Sequence, residues 1–294
     1  MRIRTRSRAG RKSTLMPFLP SRTTIVAGLV AALGITIALA QAPAPDLAKF
    51  PDWSGQWRKF PGQGNQWDQT KPLGRAQQAP LTRDYQAIYD ANLADQAQGG
   101  QGIDPTGYCI PFGMPRMMTG VFPFEILISP TVTYFLSEYN MPRRIFTDGR
   151  NFPKEMEPQF MGYSIGKWID EDGDGRYDAL QVETRGLKGP RVFEGSGIPL
   201  HEDNQAVIKE RFALNKANKD NLQIEITVID NALTRPWTVL KNFRRDTSPI
   251  WFEYNCSEDN HHVHIEKENY FLGADGKLMP TRKGQKPPDL SHFK

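Results

Sequence analysis

This sequence predicts a mostly antiparallel β fold, a meander closing into a lipocalin-like barrel, with a β-sandwich as the alternative. Three observations predict it. Apolar residues alternate with period two in run after run between Val121 and Met279. Asp-Gly pairs at 148–149 and 275–276 sit between extended segments, as hairpin turns do. Only one segment, Leu81 to Gln96, repeats its apolar residues at helical spacing.

The chain begins with a leader. Arg2, Arg4, Arg6, Arg8, Arg11, Lys12 and Arg22 precede the uncharged apolar run Thr24 to Ala40, which ends in Ala38-Leu39-Ala40. A basic region, an apolar core and a small-x-small end make a secretory signal peptide over residues 1–40. An uncleaved anchor is the rival, but the run is short against the roughly 20 apolar residues a span needs. Residues 41–50 read as an extended linker, 51–280 as a single β-rich domain and 281–294 as a disordered tail. Export places the protein in the periplasm or outside the cell, with membrane contact only through the leader before cleavage.

Cleavage reverses the charge. The leader holds seven of the 37 basic residues and none of the 33 acidic ones, so residues 41–294 carry 30 against 33, a net of −3. The basic pI belongs to the leader, and nucleic acid is not an expected partner. Two cysteines, Cys109 and Cys256, read as one disulfide in an oxidising compartment, or else as two buried thiols. Closing so long a loop would stabilise the fold by ~4–5 kcal/mol in the chain-entropy view.

The elements follow in order. Trp53-Ser-Gly-Gln-Trp57 sets two indoles beside a Gly, as in the opening of a barrel whose Trp closes one end, or as an aromatic plug in any β core. The helix over 81–96 would bury Tyr85, Ile88, Tyr89 and Leu93, with Thr82 as N-cap. Nine or ten strands follow from Val121 onward, including a hairpin whose arms are Met161–Ile169 and Tyr177–Thr184, and strands over Trp237–Arg244, Ile250–Cys256 and His262–Leu272. No G-x-G-x-x-G, P-loop or G-x-S-x-G motif occurs, which leaves nucleotide binding and α/β-hydrolase chemistry without support.

Four constellations could carry chemistry. The acidic turn of the hairpin puts Asp170, Asp172 and Asp174 at positions 1, 3 and 5 of a calcium loop, with the Arg176 carbonyl at 7 and Asp178 at 9. Position 12 is Gln181 rather than a bidentate Glu, so the alternatives are a structural calcium site and a solvated acidic turn. His262 and His264 share a strand face and could ligate zinc, with Glu258 or His201 as third ligand; this is the weaker metal reading. His201, beside Glu202 and Asp203, could be a general base, with Glu258 as a further catalytic candidate. Arg143 and Arg144 point to opposite faces of a strand, so one alone can face a barrel interior; Arg143 is the candidate to hold a carboxylate or enolate, against an outer-face salt bridge. Arg116, among Met114, Met117 and Met118, either enters a pocket or snorkels out of an apolar patch. Tyr163 and Trp237 complete the candidate ligand-binding set.

The ordered motifs Asp52-Trp-Ser-Gly-Gln-Trp57, Gly113-Met-Pro-Arg-Met-Met118, Met161-Gly-Tyr-Ser-Ile-Gly-Lys-Trp168, Thr234-Arg-Pro-Trp237 and Tyr254-Asn-Cys-Ser-Glu-Asp-Asn260 resemble a family of exported proteobacterial proteins of uncharacterised activity. The resemblance implies a periplasmic or secreted β-rich protein and brings no activity with it. The acidic loop departs from that pattern, so calcium would not be a requirement of the family. The expected function is a small-molecule site in the barrel mouth, either a lyase, isomerase or hydrolase using a His base and an Arg clamp, or a non-catalytic binding or envelope-associated protein.

Overall fold

The structure is a computed structural model that describes residues 46–60, 78–120, 122–139, 141–256, 261–266 and 268–291. The leader lies outside these residues, as does Glu258. Nine strands form a closed barrel: β1 (Gln56–Lys59), β2 (Phe124–Ile128), β3 (Val132–Ser137), β4 (Arg143–Phe146), β5 (Tyr163–Ile169), β6 (Ala179–Arg185), β7 (Val207–Leu214), β8 (Asn221–Ile229) and β9 (Trp237–Asp246). Each pairs with the next, and β1 closes the ring on β9 through Trp57↔Arg245 and Lys59↔Phe243. A separate three-stranded sheet holds β10 (His262–Ile265), β11 (Glu268–Leu272) and β12 (Leu278–Pro280).

Alternation decides which side chains fill the barrel. Leu180, Val182 and Thr184 of β6 stand opposite Phe212, Glu210 and Ile208 of β7. Those three in turn oppose Ile224, Ile226 and Val228 of β8. Phe212, Leu222, Ile224, Ile226 and Val228 are fully buried. Each such side chain stabilises the fold by ~1.5–3 kcal/mol relative to exposure. The Trp53 ring packs on Trp168 and Phe212 at 5.0 and 6.3 Å, and Trp57 Nε1 donates to the Trp53 carbonyl at 3.0 Å. The paired indoles therefore plug the end of the barrel that carries the acidic hairpin.

Three expectations are corrected. The barrel is mostly antiparallel as expected, but β4 and β5 run parallel through Ile145↔Ser164 and Phe146↔Ile165. Asp148-Gly149 is therefore no hairpin turn: the chain crosses over and re-enters the sheet in the same direction. The segment Ile250–Cys256 forms no strand. Side chains occupy its backbone instead, Arg58 Nη2 donating to the Ile250 carbonyl at 3.1 Å and the Phe252 N–H to Glu138 Oε1 at 3.2 Å. The run His262–Leu272 is two strands, turned at Glu266, whose φ is +56°. Asp275-Gly276 does turn β11 into β12.

The helix α1 (Arg83–Ala97) forms where its pattern places it, with Thr82 Oγ1 accepting from the Tyr85 N–H. Its buried side chains are Tyr89 and Asn92; Ile88 and Leu93 are exposed. Asn92 wins a buried place because it satisfies loop backbone, donating to the Ser196 carbonyl at 2.8 Å and accepting from the Ile103 N–H at 2.9 Å. A second helix, α2 (Arg116–Thr119), is a single turn held by Thr119 Oγ1 donating to the Phe193 carbonyl at 2.6 Å. Cys109 and Cys256 form the expected disulfide, Cα atoms 5.5 Å apart. Past β12, Gln285 Nε2 donates to the Asn269 carbonyl at 2.8 Å, which ties the chain back onto β11.

Candidate functional site

β4 divides the two arginines as its period requires. Arg143 shares the inner face with Ile145 and is fully buried. Its Nη1 donates to Glu210 Oε1 at 2.9 Å and its Nη2 to Glu210 Oε2; Nη2 also reaches Thr184 Oγ1 at 3.0 Å and Ser164 Oγ at 3.3 Å. Ser164 and Thr184 hydroxyls lie 2.8 Å apart. The expected carboxylate is therefore present, but it belongs to the protein. With both charged side chains at zero exposure, this pair is a bolt across the barrel from β4 to β7.

Arg144 faces outward beside Phe146, into a groove of about 550 Å³ on the barrel wall. It lies where β4 and β5 pair over only two residues. Phe146 stacks on Tyr163, centroids 5.1 Å apart and planes at 28°. Phe160 and Met161 also line it, and Lys188 Nζ stands 5.2 Å over the Phe160 ring. Gly162 closes the corner: its φ is +65°, and a Cβ there would meet the Arg185 carbonyl oxygen at 2.7 Å. Tyr163, a candidate binding residue, belongs here, its hydroxyl accepting from Arg150 Nη1 at 3.3 Å. Neither Arg144 nor Lys188 pairs with a carboxylate among the described residues. Two other concavities lie on the wall. One of about 510 Å³ on β5–β8 contains the Lys209–Glu183 pair, and one of about 780 Å³ under the acidic hairpin contains Arg211–Glu171.

Neither Trp237 nor Arg116 lines the groove beside β4. Trp237 is core, packed on Phe193 at 4.5 Å. Arg116 neither snorkels nor opens into a pocket: it is buried over the Phe112 ring at 4.6 Å, with Nη2 donating to Asp104 Oδ2 at 3.1 Å. Among the described residues its Nε and Nη1 have no partner, and neither does Oε2 of the fully buried Glu194 nearby. Burial pushes the Glu194 carboxyl above its usual range, although donors from Ser196 and the charges of Arg116 and Lys241 pull the other way. Burial likewise lowers the Lys59 ammonium to about 8.

His201 is half-exposed on a loop against Tyr85, rings 5.5 Å apart. Its Nδ1 accepts from the Asp203 N–H at 3.1 Å, and its own N–H donates to Asp230 Oδ1 at 2.8 Å. Its nearest arginine contact is Arg191, which donates to its carbonyl. The expected convergence of His201 and Arg143 on one cavity is not formed, since Arg143 is sealed inside the barrel.

Asp170, Asp172 and Asp174 each bring a carboxylate oxygen within 4.8 Å of the others, all exposed. The loop is preformed by its own backbone: Asp170 Oδ1 accepts from the Gly173 N–H at 2.7 Å and Oδ2 from the Gly175 N–H at 2.9 Å. Asp178 is drawn into the same turn, accepting from the Glu171 N–H at 2.8 Å. Arg176 supplies the N–H that Asp174 Oδ1 accepts at 2.8 Å. Hard oxygens converging at this spacing suit calcium. His262 and His264 are engaged separately: Asn269 Nδ2 lies 2.9 Å from His262 Nδ1, and His264 packs on Tyr108 at 4.4 Å.

Reading the sequence alone missed Lys188, Phe160 and Glu194. No local pattern marks them, because the crossover and the end loops bring them into place. Comparison with protein-family models, with characterised proteins and with solved structures finds no match.

Proposed function

We propose that this chain is an exported binding protein that takes a small organic anion in the groove beside β4. One observation carries the reading. Arg144 and Lys188, which have no carboxylate partner among the described residues, line a concavity together with Phe146, Tyr163, Phe160 and Met161. Ligand sites are concave and combine apolar surface with orienting polar groups, and this groove presents both. The signal-like leader and the Cys109–Cys256 disulfide support export to an oxidising compartment. No helix among the described residues is long and apolar enough to cross a membrane. The scattering of His201 and Arg143 favours binding over catalysis.

Isothermal titration of residues 41–294 with a panel of small carboxylates and phosphates tests the reading. Binding that weakens with salt and is lost in Arg144→Gln is expected, since exposed cations are screened. Failure of every anion, or an Arg144→Gln variant that binds as the parent does, would overturn it. In the same proposal, Asp170, Asp172 and Asp174 hold a calcium ion, with Asp178 and the Arg176 carbonyl as further oxygens, and the ion braces the β5–β6 turn.

A further inference from the structure

We infer that the three-stranded sheet carries a second binding site, a slot for a small neutral aromatic molecule, independent of the groove beside β4.

Strand register builds the slot. His262 of β10 stands opposite Phe271 of β11, and Phe271 stands opposite Met279 of β12. Directly paired residues project to the same face of a sheet, so imidazole, phenyl ring and thioether form one row across three strands. The imidazole meets the Phe271 ring edge to face, centroids 5.8 Å apart and planes at 85°. All three line a cavity of about 480 Å³, which Pro280, Thr281, Gly99 and Gln101 complete. Small-molecule sites span roughly 300–1,000 Å³, so this one takes a single ring with its substituents. Gly99 and Gln101 belong to the loop after α1, and that loop is fastened to the sheet region. Asn269 Nδ2 donates to Gln101 Oε1 at 2.5 Å, and the Lys283 N–H donates to the Gln98 carbonyl at 2.9 Å.

The lining selects the ligand. Among the described residues no Asp, Glu, Lys or Arg lines this cavity. An ionised molecule would lose water there and gain no counter-charge, which is unfavourable. The imidazole is uncharged as well. Asn269 Nδ2 lies 2.9 Å from His262 Nδ1, a contact in which Nδ1 accepts and so carries no proton. An aromatic ring gains more here than an aliphatic ring of the same size. It packs edge-on or offset against Phe271, and the Met279 sulfur makes a favourable contact with a ring edge. Met279 is exposed, and its unbranched side chain can adapt to the ring it covers.

The test titrates the chain 41–294 with benzyl alcohol and reads the His262 ring and the Met279 methyl by proton–carbon NMR. Saturable shifts at both residues are expected. Read at the same two residues, benzoate and benzylamine should bind about tenfold more weakly, because each brings an uncompensated charge. Cyclohexylmethanol, which lacks the aromatic ring, should bind about threefold more weakly. Met279→Ala, at an exposed position, should keep the parent circular dichroism and weaken benzyl alcohol about threefold. Arg144→Gln should leave it unchanged. No saturable shift at His262 and Met279, or a Met279→Ala variant that binds as the parent does, would remove the site. Equal binding of either charged analogue would overturn the neutral class, and equal binding of cyclohexylmethanol the aromatic one. Loss of benzyl alcohol binding in Arg144→Gln would put the probe in the groove instead of the slot.

Discussion

Arg143 and Arg144 are neighbours in the chain and opposites in the fold. One turns into the barrel and meets Glu210; the other turns out, beside Phe146, and meets no carboxylate among the described residues. The chemistry of the two side chains is identical, so the difference lies in the environment. An inner arginine without a partner would cost several kcal/mol, so the fold supplies one. An outer arginine is hydrated and needs none, which leaves it available to a ligand. A buried charge must thus be satisfied by the fold, whereas an exposed one can stand without a protein partner.

The largest effect should come from breaking the inner pair. Arg143→Met leaves Glu210 buried without its partner and should cost ~3–5 kcal/mol, read from urea unfolding. Adding Glu210→Leu should recover most of that loss, because a buried pair replaced by apolar groups is near neutral. If the double variant is as unstable as the single one, the pair is not the source of the cost. Removing the disulfide by Cys109→Ala with Cys256→Ala should cost ~2–4 kcal/mol, most of it through the unfolded chain. Unchanged denaturation in the reduced parent would contradict this.

Glu194 sharpens the comparison, being inside yet without a partner on Oε2 among the described residues. Its folded-state pKa is raised above 4.5, so the folded chain binds the extra proton. Its contribution to stability is therefore greatest below pH 4.5 and is lost as pH rises through the folded value. Glu194→Gln should abolish that loss, so the variant gains on the parent in melting temperature between pH 4 and pH 7. Parallel melting curves across that range would show that Glu194 is not penalised by burial. At the exposed turn, Asp172→Asn with Asp174→Asn should remove any rise in melting temperature on adding calcium and leave anion binding intact. A loss of binding with unchanged melting would mean that the turn, not the groove, is the ligand site. The smallest effect on stability belongs to Arg144→Gln, within ~0.5 kcal/mol as for other exposed substitutions, although its effect on binding should be complete.

Much of the fold was legible because it rests on local periodicity. The hairpin β5–β6 follows from alternation around a Gly-rich acidic turn, and α1 from helical spacing and Thr82. The parallel pair was not legible, since Asp148-Gly149 looks locally like any hairpin turn and only the barrel's closure decides against it. The site was less legible still. Each face of β4 offers one arginine and one apolar residue, Arg143 with Ile145 and Arg144 with Phe146, so its own sequence gives no way to tell inside from outside. His201 and Arg143 looked like partners only because nothing in the chain order reports the barrel wall between them.

By itself, then, the sequence determined the β class, the single longer helix, the disulfide pair and the preformed acidic turn. Each of these follows from residue type at short spacing, or in the disulfide's case from a count of two. Tertiary structure alone decided which arginine the barrel keeps, that β4 and β5 run parallel, and that Lys188 and Phe160 share a groove with Arg144. Those facts depend on register and closure, where a shift of one residue exchanges inside for outside and no local propensity records the choice.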